Sequence, residues 1–211
     1  MFVNRLRRSD AGVTLVEVLI AIVILGIIMV PLANALIMFL RHTDNINRRL
    51  NESHDIQISA AYLTQDVQSI GVRDWAGGYP FMLKQSVEVA APHDGGLYPC
   101  GPAGTPAAVV RFAWDNPTAA AGQPPVAVAS YVDQVVGGER QLRRITCDGT
   151  TVTSNVVLVH NLAGVDPPVC STDPCTVATV PAWVRLTVRV QDPTRTGLPV
   201  TITLSGQRRQ T

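Results

Sequence analysis

The sequence predicts an α+β protein in which a long N-terminal helix lies on an antiparallel sheet domain. Three observations point there. An apolar run extends from Val13 to Leu40. A helical stripe of apolar residues continues beyond it to Ile70. From Trp75 onward the pattern changes to short alternating runs broken by Gly and Pro, as strands and turns require.

The chain has 211 residues and a formal charge of +1. The length suffices for one membrane segment and one modest domain. The near-zero charge gives no strong electrostatic case for nucleic acid or anionic lipid as a partner. The expected organisation is a leader at 1–12, a hydrophobic transmembrane helix at 13–40, an amphipathic continuation at 41–71 and a strand-rich domain at 72–211.

The leader is short and basic, with Arg5, Arg7 and Arg8 ahead of Gly12. As a helix, the run from Val13 to Leu40 would be about 42 Å long, enough to cross a hydrocarbon core of about 30 Å. A secretory signal fits poorly. Its apolar region would be shorter, and its small residue would follow the run rather than precede it. Glu17 is the one ionisable residue inside the run. A carboxylate in a membrane span costs free energy, so the default reading is a functional one. Gly26 and Pro31 weaken the helix locally, and Pro31 is a candidate kink.

Gly12 followed by Val13-Thr14-Leu15-Val16-Glu17 and a long apolar helix resembles the processing signature of type IV prepilins and type II secretion pseudopilins. The resemblance covers roughly the first 40 residues closely. It implies that a membrane prepilin peptidase cuts between Gly12 and Val13 and that Val13 becomes the N-methylated first residue. Where the family usually has Phe, this chain has Val13. The resemblance also implies that Glu17 meets the amino terminus of a neighbouring subunit. Other subunits would then be partners through the N-terminal helix. The larger pattern resembles the minor pseudopilins of the PulJ/GspJ and PilW type, through 63–67, 156–162 and 184–188.

Beyond Leu40 the chain turns polar. Ile56, Ala60, Leu63, Val67 and Ile70 recur at helical spacing, with Gly71 placed to end the helix. The expected strands are 85–89, 108–114, 126–132, 140–147, 156–160, 182–190 and 200–204. The last two are read as a hairpin with the loop 192–199.

All four cysteines, Cys100, Cys147, Cys170 and Cys175, follow the hydrophobic run. An even count in a domain expected outside the membrane suggests two disulfides among three connectivities. The preferred pairing is Cys100 with Cys147 and Cys170 with Cys175. The alternative is four reduced thiols. The charge balance of the flanks, three arginines on each side, does not set orientation. Domain length and cysteines favour the leader inside, in the cytoplasm, and the domain outside the membrane, as the resemblance also implies.

No catalytic constellation is found. His42, His54, His93 and His160 are scattered without metal-ligand spacing, and no cofactor motif is present. Asp166, Asp173 and Asp192 read as turn aspartates in preference to a calcium site. Arg140, Arg143 and Arg144 read as a small basic patch. The expected function is a minor pilin or pseudopilin, a structural subunit of a type IV pilus or type II secretion-like fibre that could prime assembly. The competing readings are a fibre-tip binding module, including one for DNA uptake, and a solitary membrane-anchored domain.

Overall fold

A computed structural model describes residues 12–118, 125–191 and 198–209. The chain is α+β. Helix α1, Leu15–Ser69, leads into the strands β1 Val72–Arg73, β2 Leu83–Lys84, β3 Val87–Ala91, β4 Ala108–Asp115, β5 Val126–Val136 and β6 Glu139–Asp148. β7 Thr151–Val159, β8 Leu162–Val165, β9 Val169–Cys170, β10 Trp183–Val190 and β11 Val200–Gln207 follow. Two compact units meet in sequence between Leu50 and Asn51.

In the first unit, one segment of α1, Leu15–Thr43, is long and apolar enough to cross a membrane. Its residues are exposed apart from the half-buried Thr43. At 29 residues it would span about 44 Å.

The second unit is built on two antiparallel sheets. One has the order β3-β4-β5-β6-β7, and the other has β11-β10-β8 with β9 also against β10. β1 and β2 form a separate small ribbon. The expected strands all occur, with shifted ends. β3 starts two residues later than expected, and β7 starts at Thr151 because Gly149 completes a tight turn at positive φ. The alternation pattern could not show β1, β2, β8 and β9, which are two to four residues long.

The helical stripe does what its spacing implies. Leu63, Val67 and Ile70 are buried in a core with Phe112, Tyr131, Leu142, Leu158, Leu186 and Leu204 from both sheets. Ala60 packs against that core, and Ile56 is half-buried. The helix ends at Ser69. Gly71 then takes φ +144 and donates its N–H to Ala113 O at 3.1 Å, turning the chain onto β4.

Helix and sheet approach closely at Gly206. A Cβ there would lie 2.6 Å from Val67 Cβ and 3.0 Å from the Leu63 carbonyl oxygen. The second neighbour is backbone and cannot swing aside. Gly206→Ala is therefore expected to destabilise the fold by about 1–3 kcal/mol through overpacking. The check is the urea unfolding midpoint of the full chain in detergent.

The five-stranded sheet is buried on its other face too. Ala108, Val128, Val132, Ile145, Cys100 and Cys147 form a second cluster there. The chain bonds Cys100 to Cys147 and Cys170 to Cys175, the preferred pairing. The first disulfide holds the segment after β3 onto this face. Arg111, with a fully buried side chain, holds the same segment. Its guanidinium donates to Glu88 Oε2 at 3.0 Å, Gly95 O at 3.0 Å, Pro92 O at 2.8 Å and Ser130 Oγ at 3.1 Å. Glu88 in turn accepts the backbone N–H of Leu97 at 2.6 Å. A buried charge needs this density of partners.

Tyr98 closes the same segment by donating its hydroxyl to Gln85 O at 2.5 Å. Burial, and then the nearby charges of Glu88 and Asp115, push its hydroxyl up to about 12. The fold thus favours the protonated phenol. Its contribution to stability is complete below the ordinary value of about 10 and is lost as pH rises from there through 12. Tyr98→Phe should flatten the decline of stability between pH 10 and 12, measured by urea unfolding at each pH.

The expected basic patch does not form. Adjacent residues of a strand point to opposite faces. Arg144 is buried against Asp66, whereas Arg143 bonds Asn155 and Gln141. Arg140 pairs with Asp133. Asp166 is paired with Arg189 at 2.6 Å, and Asp192 lies outside the described residues.

Candidate functional site

The site is the start of α1 and the residues just before it. The basic leader residues Arg5, Arg7 and Arg8 lie outside the described residues. Gly12 is exposed, and no described atom lies within 4 Å of where its Cβ would be. The described fold therefore makes no demand for glycine at this position. Such a demand would come from a partner that approaches the backbone closely.

Val13 follows, 69% exposed. Thr14 then caps the helix. The Glu17 N–H donates to Thr14 Oγ1 at 3.3 Å and to Thr14 O at 3.0 Å, and the Val18 N–H donates to Thr14 O at 3.2 Å. Thr14 is thus the N-cap, and Glu17 is the third helical residue. The cap was legible as Thr-x-x-Glu ahead of an apolar run, a signal hidden under the processing signature it overlaps.

Glu17 sits in the first turn, at the positive end of the helix dipole. The dipole is worth about 0.3–1 kcal/mol to a carboxylate there. Insertion of a carboxylate into hydrocarbon costs up to about 2.5–3.5 kcal/mol at the centre of a span and less near its edge. The dipole offsets part of that cost, and a full positive charge would offset more.

Around Glu17 the helix offers apolar side chains on every side. Val18, Leu19 and Ile20 are 46%, 58% and 52% exposed. Successive residues step about 100° around a helix, so three in a row cover most of its circumference. A helix apolar all round belongs in lipid or among other apolar helices. α1 continues through Pro31, which has no N–H to return to the carbonyl of Ile27.

The structure brings Gly12, Val13, Thr14 and Glu17 together at one helix start. The cysteines form two disulfides that staple the sheet domain. No curated protein matches the chain. A family model described as the prokaryotic N-terminal methylation motif matches residues 7–33. The chain thus carries a type IV prepilin-like N-terminal methylation motif, and that motif leads into a helix long and apolar enough to cross a membrane.

Proposed function

We propose that the chain is a minor pilin or pseudopilin, a structural subunit rather than an enzyme. Prepilin peptidase cuts it between Gly12 and Val13 and methylates the Val13 amine. The helix then anchors the subunit in the inner membrane, with the leader in the cytoplasm and the disulfide-bonded domain outside. During assembly the helix leaves lipid for the company of other subunits' helices, and Pro31 supplies a bending point. Glu17 neutralises the Val13 amine of an adjacent subunit. That contact favours one register along a fibre, because each charge inside lipid lowers the cost of the other.

A single coincidence carries this reading. The methylation motif spans an exposed Gly12 and a helix start whose sole carboxylate lies one turn in, with exposed apolar side chains around it. The test is co-expression of the full chain with a prepilin peptidase, followed by intact-mass measurement. The wild type should lose residues 1–12 and gain one methyl group. Gly12→Leu should keep its leader. Glu17→Leu should still be cut but should fail to enter fibres. Equal processing of wild type and Gly12→Leu would remove the pilin reading and leave a solitary anchored domain.

A further inference from the structure

We propose that the outer edge of β11 is a strand-pairing site for an extended, acidic segment of a partner protein. The site belongs to the second unit, and its assignment does not depend on how the N-terminal motif is processed.

An unpaired sheet edge offers a row of backbone N–H and C=O groups, and the ligand that fits such a row is another extended backbone. Most edges of this molecule are blunted. β3 is five residues long and is interrupted at Ala90, which takes φ 53. β7 carries two irregularities where it has one residue more than β6, between Val152 and Ser154 and between Val157 and Val159. Such bulges twist an edge away from flat pairing. β8 and β9 are four and two residues long.

β11 lacks these interruptions, and helix α1 meets its outward side at the C-terminal end, where Thr64 donates to Ser205 O and the Arg209 N–H donates to Gln68 O. It pairs with β10 over eight consecutive residues without a register shift. Its sequence, Val200-Thr201-Ile202-Thr203-Leu204-Ser205-Gly206-Gln207, contains no charge and no proline. Two observations fix which groups face outward. The Arg208 N–H donates to Ala182 O, so the even-numbered residues of β11 bond to β10 and the odd-numbered ones turn away. The Ser205 carbonyl accordingly accepts the hydroxyl of Thr64, a residue outside that sheet. The N–H and C=O groups of Thr201 and Thr203 and the N–H of Ser205 have no partner among the described residues.

The neighbouring charges indicate which strand would fit. On the exposed face, Arg185 lies opposite Ser205 and Arg189 opposite Thr201. Arg185 stacks on Trp183, and Arg189 pairs with Asp166. Arg208 and Arg209 continue the chain beyond the strand. An added strand would lie two strand spacings from β10, or roughly 10 Å. That is close to the screening length in physiological salt. Carboxylates on the outward residues of the added strand are favoured there and lysines disfavoured, most clearly at low salt. Apolar residues at the alternate positions would continue the face of Ile202 and Leu204.

The test uses the full chain in detergent at low salt. The probes are two labelled peptides of about six residues, one alternating Val with Glu and one alternating Val with Lys, followed by fluorescence anisotropy. The Val–Glu peptide should bind, and the Val–Lys peptide should bind at least tenfold more weakly. Thr203→Pro, which removes one outward N–H, should weaken binding at least tenfold, whereas Thr203→Val should leave it unchanged. Arg185→Glu should weaken Val–Glu binding severalfold with an unchanged unfolding midpoint, and it decides the matter if the proline variant does not fold. Absence of binding, equal binding of both peptides, or full binding to folded Thr203→Pro would each overturn the proposal. So would self-association of the chain through this edge, shown by oligomers that Thr203→Pro abolishes.

Discussion

Replacing Asp66 with alanine should cost the fold about 3–5 kcal/mol, because it strands a buried arginine. Asp66 is 1% exposed. The Arg144 guanidinium donates to both of its oxygens, at 2.5 and 2.7 Å, and the Tyr131 hydroxyl adds a third bond at 2.7 Å. The guanidinium also lies 4.7 Å from the centre of the Tyr62 ring. Burial, and then the Asp66 carboxylate, hold the Tyr131 hydroxyl well above its ordinary value, so it donates throughout the physiological range. Alanine at 66 would leave the Arg144 charge and the Tyr131 hydroxyl unpartnered. The loss is a large fraction of the roughly 5–15 kcal/mol that holds a typical domain together. The same pair, replaced jointly as Asp66→Leu and Arg144→Met, should cost far less, because no lone charge remains. Urea unfolding of the full chain in detergent separates the two. Equal losses from the single and double variants would mean that cavity and shape, rather than the charge, set the cost.

Asp66 also shows where the sequence stops being legible. The stripe through Leu63, Val67 and Ile70 identifies the core face of the helix, because apolar spacing reports burial directly. Asp66, three residues after Leu63 and four before Ile70, lies on that same face by spacing, but the stripe was read from its apolar members alone and a carboxylate among them carries no sign of its partner. Its partner Arg144 is 78 positions away, and no local pattern announces a pair formed across such a separation. The basic patch failed for a related reason. Arg143 and Arg144 are neighbours in sequence, yet the pleat sends them to opposite faces. Strands with clean alternation, such as β10 with Val184, Leu186 and Val188, were readable to within a residue. Strands of two residues, such as β1 and β9, depend on pairing partners rather than on their own pattern. At the N-terminus the methylation motif itself was legible, since it matches residues 7–33 as a contiguous stretch. Gly12, Val13 and Glu17 belong to a contiguous motif whose meaning does not require a fold. The Thr14 cap was equally local, and it was concealed only because the same residues already carried another reading.

The two disulfides should differ sharply in what their removal costs. Cys100 and Cys147 are 47 positions apart, and Cys170 and Cys175 are five apart. In the chain-entropy model, closing the longer loop is worth about 4 kcal/mol and closing the shorter about 2 kcal/mol. Local packing points the same way. Cys100 and Cys147 are each 2% exposed and belong to the second core cluster. Their bond pins the segment that supplies Gly95 O and Pro92 O to the Arg111 guanidinium. Changing both to serine would release that segment as well as the loop, so hydrogen exchange should rise at the Leu97 and Tyr98 amides that Glu88 now binds. Cys170→Ser with Cys175→Ser should leave those amides protected. Because Glu88 and the disulfide restrain one segment, Glu88→Ala made on top of Cys100→Ser and Cys147→Ser should cost less than Glu88→Ala alone. Additive losses would mean that the ion pair and the disulfide act on separate parts of the fold, and that the Arg111 cluster stands without the covalent clamp.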